Sequence, residues 1–219
     1  MKCPRCGNED PNWFYLGSKG WYCRKCVKFR ALQLNNDFEE SYPEPPVVDA
    51  EYVLRFKLTV YQKEISDQIL NLIKHHTSLL VNAVCGAGKT ELVYATIKYC
   101  LEQRKRVGFA ISRRQVVLQL AQRLKVDFPG LKVIPVCQDY TKDVWGDLII
   151  CTAHQLYRYQ HYFDLLILDE PDAFPFKGNE VLRNIANNSC KGNIIYLSAT
   201  PDEWIMDLVI KGKISEVDL

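Results

Sequence analysis

An apolar run that ends in a glycine-rich loop and passes at once into a helical pattern leaves a chain few folds to adopt. Residues 79–90 read Leu79-Leu80-Val81-Asn82-Ala83-Val84-Cys85-Gly86-Ala87-Gly88-Lys89-Thr90. The apolar spacing predicts a strand over 79–84 and a helix over 89–103. Strand, loop and helix in that order make a phosphate-binding loop, with one departure: Ala83 stands where the opening glycine is usual. An incidental glycine turn would not need the flanking elements in this order. Gly86, Ala87 and Gly88 let backbone N–H groups wrap a β-phosphate, and the helix start adds its dipole. Lys89 can reach the β- and γ-phosphates and steady their charge during transfer, and Thr90 offers a hydroxyl to Mg²⁺. The nucleotide expected here is ATP.

Further apolar runs predict strands at 107–111, 132–136, 147–151, 165–169 and 193–198, alternating with helical spacing at 59–74, 113–125 and 177–188. Strands that alternate with helices give a parallel sheet, which places ligands at the carboxyl ends of its strands. The run Leu165-Leu166-Ile167-Leu168-Asp169-Glu170 ends in two carboxylates. Asp169 is placed to hold Mg²⁺ through water, and Glu170 to orient or deprotonate an attacking water. Adjacent strand residues point to opposite faces, so both can serve one site only if the chain turns there. Pro171 is the residue expected to make that turn.

The amino-terminal region has another character. Of nine cysteines, Cys3, Cys6, Cys23 and Cys26 form two C-x-x-C pairs, while Cys85, Cys100, Cys137, Cys151 and Cys190 are scattered among apolar neighbours as core filling. Two such pairs brought across a hairpin suit tetrahedral Zn²⁺; disulfides and a redox C-x-x-C are the alternatives. Aromatics interleave with seven Lys and Arg in residues 1–30, so these rings serve either as the only core of a small module or as stacking surfaces for a single strand. Residues 35–51 carry six acids, no base, and Pro43, Pro45 and Pro46, which reads as a linker. The expected organisation is a zinc ribbon at 1–34, an acidic linker at 35–51 and an α/β P-loop lobe at 52–219. With 47% hydrophobic residues and no secretory-type start or long apolar run, the chain is expected in the cytoplasm.

Asp169-Glu170-Pro171-Asp172 has the D-E-x-D form of superfamily two helicases and translocases, and Ser198-Ala199-Thr200 resembles their S-A-T motif. Gln62 resembles their adenine-reading glutamine. With the four-cysteine ribbon in front and Cys151-Thr152-Ala153-His154-Gln155-Leu156 between, the chain resembles the ComFA family of competence motors, amino-terminal ribbon plus first RecA-like lobe. The resemblance implies ATP-driven translocation of single-stranded DNA during natural transformation. It also implies an oligomeric motor, competence partners such as a ComFC-like protein and a membrane channel, and a place at the inner face of the membrane. It implies that Asp172, Ser198 and Thr200 couple phosphate state to lobe movement. These motors carry a second lobe with an arginine finger, which cannot fit after Ser198-Ala199-Thr200, so this chain is expected to bind ATP better than it hydrolyses it. A nucleotide-dependent scaffold docking through the ribbon, or the lobe of a replication-restart or restriction-type helicase, are the alternatives.

The net charge of +2 conceals polarity: residues 98–125 alone carry +7. Arg104-Lys105-Arg106 closes a helix and serves its dipole or solubility. Arg113 and Arg114 follow a predicted strand at its carboxyl end, where related motors meet the phosphate backbone. Thr152, His154 and Gln155 follow another such strand and are a second backbone contact by resemblance. An N-cap role for Thr152 and a turn role for His154 compete with that.

Overall fold

A computed structural model describes residues 1–29, 42–84 and 86–219. Cys85, the end of the expected ribbon and the first seven residues of the expected linker lie outside them.

The ribbon is a hairpin, β1 (Phe14–Gly17) paired with β2 (Gly20–Cys23), flanked by two short 3-10 turns. The lobe runs α1 (Val60–Lys74), β3 (Leu79–Asn82), α2 (Lys89–Leu92), α3 (Tyr94–Glu102), β4 (Val107–Ile111), α4 (Arg114–Asp127), β5 (Val133–Val136) and β6 (Leu148–Thr152). It continues with β7 (Phe163–Asp169), α5 (Glu180–Ser189), β8 (Cys190–Ser198), α6 (Glu203–Ile210) and β9 (Ser215–Asp218). Seven strands form one sheet in the order β5-β6-β4-β7-β8-β3-β9, every pair parallel.

The alternation of strand side chains builds two cores. Leu79, Val81, Phe109, Ile150, Ile167 and Leu197 face one side, against α1, α3 and α4. Leu80, Ala110, Ile149, Leu166, Leu168 and Tyr196 face the other, against α5, α6 and the ribbon. Both faces are covered, which is why these strands read as unbroken apolar runs rather than alternating ones. Gly108 on β4 leaves room for the Phe163 ring, which a Cβ would meet at 2.5 Å.

Three local expectations change. The helix predicted at 89–103 breaks at Val93 into α2 and α3. Two elements, α6 and β9, had no prediction; α6 is apolar almost all round, Glu203-Trp204-Ile205-Met206-Asp207-Leu208-Val209-Ile210, and so lacks the polar face that betrays a surface helix. The described part of the acidic segment is a strap packed on the lobe: Ala50 is fully buried, and Arg104 pairs with Glu44 at 3.7 Å. Arg106 donates to the carbonyls of Tyr42 and Pro43 at 3.3 and 2.6 Å. Two cations expected to serve a helix end therefore bind the strap.

Candidate nucleotide site and nucleic-acid edge

The phosphate loop, the acidic tetrad and the S-A-T segment follow β3, β7 and β8, which are adjacent in the sheet, so they gather at one carboxyl edge. Gly86 and Gly88 have φ of +81° and +80°, the left-handed region that a side chain resists. Gly88 caps α2, and Lys89 Nζ donates to Ala83 O at 3.2 Å, folded over the loop. Thr90 is half-buried on the first turn of α2.

The tetrad turns at a different residue from the one expected. Glu170 itself holds φ +51°, and its N–H donates to Leu197 O at 2.9 Å, so the left-handed glutamate, not Pro171, bends the chain. A non-glycine residue in that region is costly and is kept where the surroundings fix it. Asp169 is half-buried; burial first, then the charge of Glu170, push its carboxyl up to about 6, while Lys89 and Arg123 draw it down. A divalent cation would relieve both pressures, so Asp169 and Thr90 fit Mg²⁺ chemically. Asp172 accepts from Ser198 Oγ at 2.6 Å and from Thr200 Oγ1 at 2.7 Å, one hydroxyl on each carboxylate oxygen.

Gln62 lies beside the loop, but both ends of its amide are engaged. Its Oε1 accepts from Thr59 N at 2.9 Å in a capping box at the start of α1, and its Nε2 donates to Ala87 O at 2.9 Å. It ties α1 to the loop, and adenine recognition would require exchanging one of those bonds. A cleft of about 310 Å³ opens next to it, lined by Arg55, Phe56, Glu91, Tyr94, Arg123 and Asp127 among others. Sequence reasoning missed these residues. Phe56 is 85% exposed, Arg123 pairs with Glu91 at 3.2 Å while its buried Nε has no partner, and Asp127 binds Arg55 and Tyr94. No local pattern marks them, because the cleft joins three short segments, 55–56, 91–94 and 123–127, that lie far apart in the chain. A larger cavity of about 530 Å³ lies at the opposite edge of the sheet, under the strap, by Arg106, Trp145 and Tyr162. It is remote from the phosphate loop, so size does not locate the chemistry.

The strands β5, β6 and β4 carry the other expected residues. Arg113 occupies the N-cap of α4 and makes no side-chain cap bond; it is exposed, beside the free N–H groups of a fourteen-residue helix. Arg114 is pinned: it donates to Gln138 O at 3.1 Å and pairs with Asp139 at 3.2 Å. Thr152 is 8% exposed and forms no side-chain cap bond, Gln155 accepts from Arg158 Nε at 2.6 Å, and His154 lies 6.1 Å from the Phe29 ring. Burial, with the charge of Lys28, holds the His154 imidazole below its usual range. Of the five residues expected to meet DNA, Arg113 alone is exposed with its side chain uncommitted among the described residues.

The four amino-terminal cysteines are buried, and their sulfurs all lie within 4.8 Å of one another. Cys3 to Cys26 is 3.7 Å and Cys6 to Cys23 is 3.8 Å. A tetrahedron with bonds of about 2.3 Å has edges of about 3.8 Å, so the cage fits Zn²⁺ in size as well as in ligand type. Gly7, φ +67°, closes the first turn by donating to Cys3 O at 2.8 Å. The thiols lie close enough to bond one another: hydrogen bonds with Cys26 and Cys6 draw the Cys3 thiol down, and those with Cys3 and Cys6 drive Cys26 up. The ribbon is seated on the lobe. Asn184 Nδ2 donates to Cys6 O at 2.9 Å, Asn188 donates to Pro4 O, and Arg5 lies over the Tyr157 ring. No sequence motif announced the two asparagines.

A family model described as the type III restriction enzyme, res subunit, matches residues 55–203. The chain belongs to that family. The match spans α1, the phosphate loop, the tetrad and the S-A-T segment, the parts that converge on β7, β8 and β3. Competence protein ComFA of Bacillus subtilis (strain 168) is 34% identical to it over 99% of this chain and 49% of the relative. Competence protein ComFA of Streptococcus pneumoniae (strain ATCC BAA-255 / R6) is 31% identical over 99% of this chain and 50% of the relative. The chain thus spans about half the length of these curated relatives. The helicase domain of Pyrococcus furiosus Hef superposes with a TM-score of 0.57 at 17% identity, covering 74% of this chain and 38% of that one, a likeness of fold. Among the described residues no helix is long and apolar enough to cross a membrane.

Proposed function

We propose that this chain is the ATP-binding half of a DNA translocase serving DNA uptake, divided into ribbon (1–34), acidic segment (35–51) and RecA-like lobe (52–219). The observation that carries the proposal is the gathering of the Gly86–Lys89 loop, Asp169-Glu170 and the Asp172–Ser198–Thr200 bonds on three adjacent strands. Likeness to the two ComFA proteins over nearly the whole chain supports the competence setting.

Gly86, Ala87, Gly88 and Lys89 hold the phosphates, Gln62 steadies the loop, and the Phe56–Arg123 cleft takes the base. Thr90 and Asp169 would hold Mg²⁺, which neutralises charge on the phosphate oxygens and polarises the bond to be broken. Glu170, lifted out of the strand direction by its left-handed backbone, orients the attacking water and accepts its proton. Product release alters what Asp169 and Glu170 face. Asp172, two residues on, passes that change to Ser198 and Thr200 through its two short bonds.

Single-stranded DNA runs along the β4–β6 edge, with Arg113 and the start of α4 on its phosphates. In the proposed motor an arginine finger supplied by a second lobe accelerates turnover, so these 219 residues assayed alone are expected to turn ATP over slowly. The Cys3, Cys6, Cys23 and Cys26 cage holds Zn²⁺. A ComFC-like protein and a membrane channel are the partners, which would bring an otherwise cytoplasmic motor to the inner membrane face, as an oligomer. The test uses the protein in its full length: Glu170→Gln should keep ATP binding and abolish DNA-stimulated phosphate release. Unchanged release would remove the motor from consideration.

A further inference from the structure

We propose that Tyr140 is a stacking platform for a base of the bound strand, and that Arg114 is its positioning residue and not a phosphate ligand. The proposal rests on the single-strand reading of the β4–β6 edge.

Residues 137–140 form a tight turn after β5. Cys137 N donates to Tyr140 O at 3.3 Å, Tyr140 N donates back to Cys137 O at 2.9 Å, and Asp139 takes φ +67°. A left-handed non-glycine residue at a turn tip is held there by its contacts, and Arg114 supplies them. Its Nε binds Gln138 O at 3.1 Å, its terminal nitrogen binds Asp139 Oδ2 at 3.2 Å, and its Cζ lies 5.7 Å from the Tyr140 ring centre. One arginine therefore braces the backbone, the acid and the ring of a single turn. Its guanidinium already faces Asp139, so a phosphate here would have to compete with that carboxylate.

What the brace presents is an aromatic ring 45% exposed at the carboxyl edge. The sheet order puts β6 between β5 and β4, so the bridge from Arg114 to Asp139 joins the segments that follow the strands on either side of β6. A strand held at Arg113 and crossing this edge reaches the Tyr140 side with its phosphates on one flank and its bases free. Exposed Lys142 follows two residues later to keep the flank cationic. A ring with a cation beside it and a cationic approach suits base stacking, which tolerates any sequence. An aromatic left bare for packing would instead sit among other rings, as Tyr159, Tyr162 and Phe163 do.

The test compares an oligo-dT strand with an abasic strand of equal length and charge, by fluorescence anisotropy on this chain. Tyr140→Ala should weaken oligo-dT binding about tenfold and leave abasic binding unchanged, with the same salt dependence. Tyr140→Phe should bind as wild type. Arg114→Ala should show the same selective loss, and melting temperature confirms that each variant folds. Wild-type binding to oligo-dT that Tyr140→Ala does not weaken, or weakens equally on both strands, overturns the stacking role and leaves the strand reading standing. Binding to neither strand by the wild type overturns both.

Discussion

The two halves of the sheet's carboxyl edge are built differently. Around β7, β8 and β3 the expected residues bond to one another: Asp172 to Ser198 and Thr200, Gln62 to Ala87, Lys89 to Ala83. Around β5, β6 and β4 they bond to segments that no motif mentions: Arg114 to Gln138 and Asp139, Gln155 to Arg158, and His154 packs beneath Phe29 of the ribbon. Phosphate chemistry demands a particular backbone, and the glycines and acids that make it must be encoded side by side. The proposed strand contact is left to side chains whose availability depends on what else the fold brings near.

Replacing the loop lysine should separate the halves most sharply. Lys89→Ala removes the lysine proposed to reach the phosphates, so affinity for a fluorescent ATP analogue should fall on the order of a hundredfold or more, while oligo-dT affinity holds. Comparable losses of both ligands would show that the halves are not separate sites.

That asymmetry also governs what is legible in the sequence. The order of β3 to β8, the parallel sheet and the phosphate loop follow from apolar runs and glycines, which report backbone constraints directly. The turn at Glu170 is misplaced onto Pro171 because proline's bias is visible in sequence, whereas a forced φ of +51° arises from the bond to Leu197 on the next strand. The Arg55–Arg123 cleft and the Asn184 and Asn188 contacts join residues far apart in the chain. Polar side chains of that kind carry no period, so only the fold could bring them forward.

The ribbon is a second source of difference, because its described residues rest on the segment after β6 and on α5. Removing metal with a chelator, or Cys3→Ser, should unfold residues 1–29, since four buried thiols have no other means of holding the cage together. Amide hydrogen exchange should then rise in 153–158 and in α5, where Phe29, Arg5 and the Cys6 and Pro4 carbonyls had rested, with β3 unaffected. Protection unchanged at 153–158 would mean that the ribbon only leans on the lobe. A smaller version is Asn184→Ala, which strips the bond to Cys6 O and should cost about 1 kcal/mol.

Asp169 gives a comparison in pH. Its carboxyl titrates near 6 when folded and near 4 when unfolded, so the raised value favours the folded state below about 4, and that contribution is lost as pH rises through about 6. Asp169→Asn should therefore raise the melting temperature at pH 8 and leave it nearly unchanged at pH 4. Mg²⁺-dependent ATP binding by the wild type should weaken as pH falls through 6, because the protonated acid has no charge to offer the metal. The acidic loss should be absent from oligo-dT binding if the two halves are independent.

The smallest expected effect discriminates most finely, because it sets neighbouring arginines against each other. Arg113 sits at the uncapped start of α4 with its charge free, and Arg114 spends its charge on Asp139. Removing one cation that neutralises a phosphate should lower the slope of log affinity against log salt by about one. Arg113→Ala should produce that change and weaken oligo-dT and abasic strands alike, while Arg114→Ala should leave the slope as it was and weaken only the strand that has bases. A slope lowered by Arg114→Ala as much as by Arg113→Ala would return Arg114 to the phosphates. The β4–β6 edge would then be as legible from sequence as the nucleotide half, with the turn at 137–140 reduced to a passive resting place for the arginine.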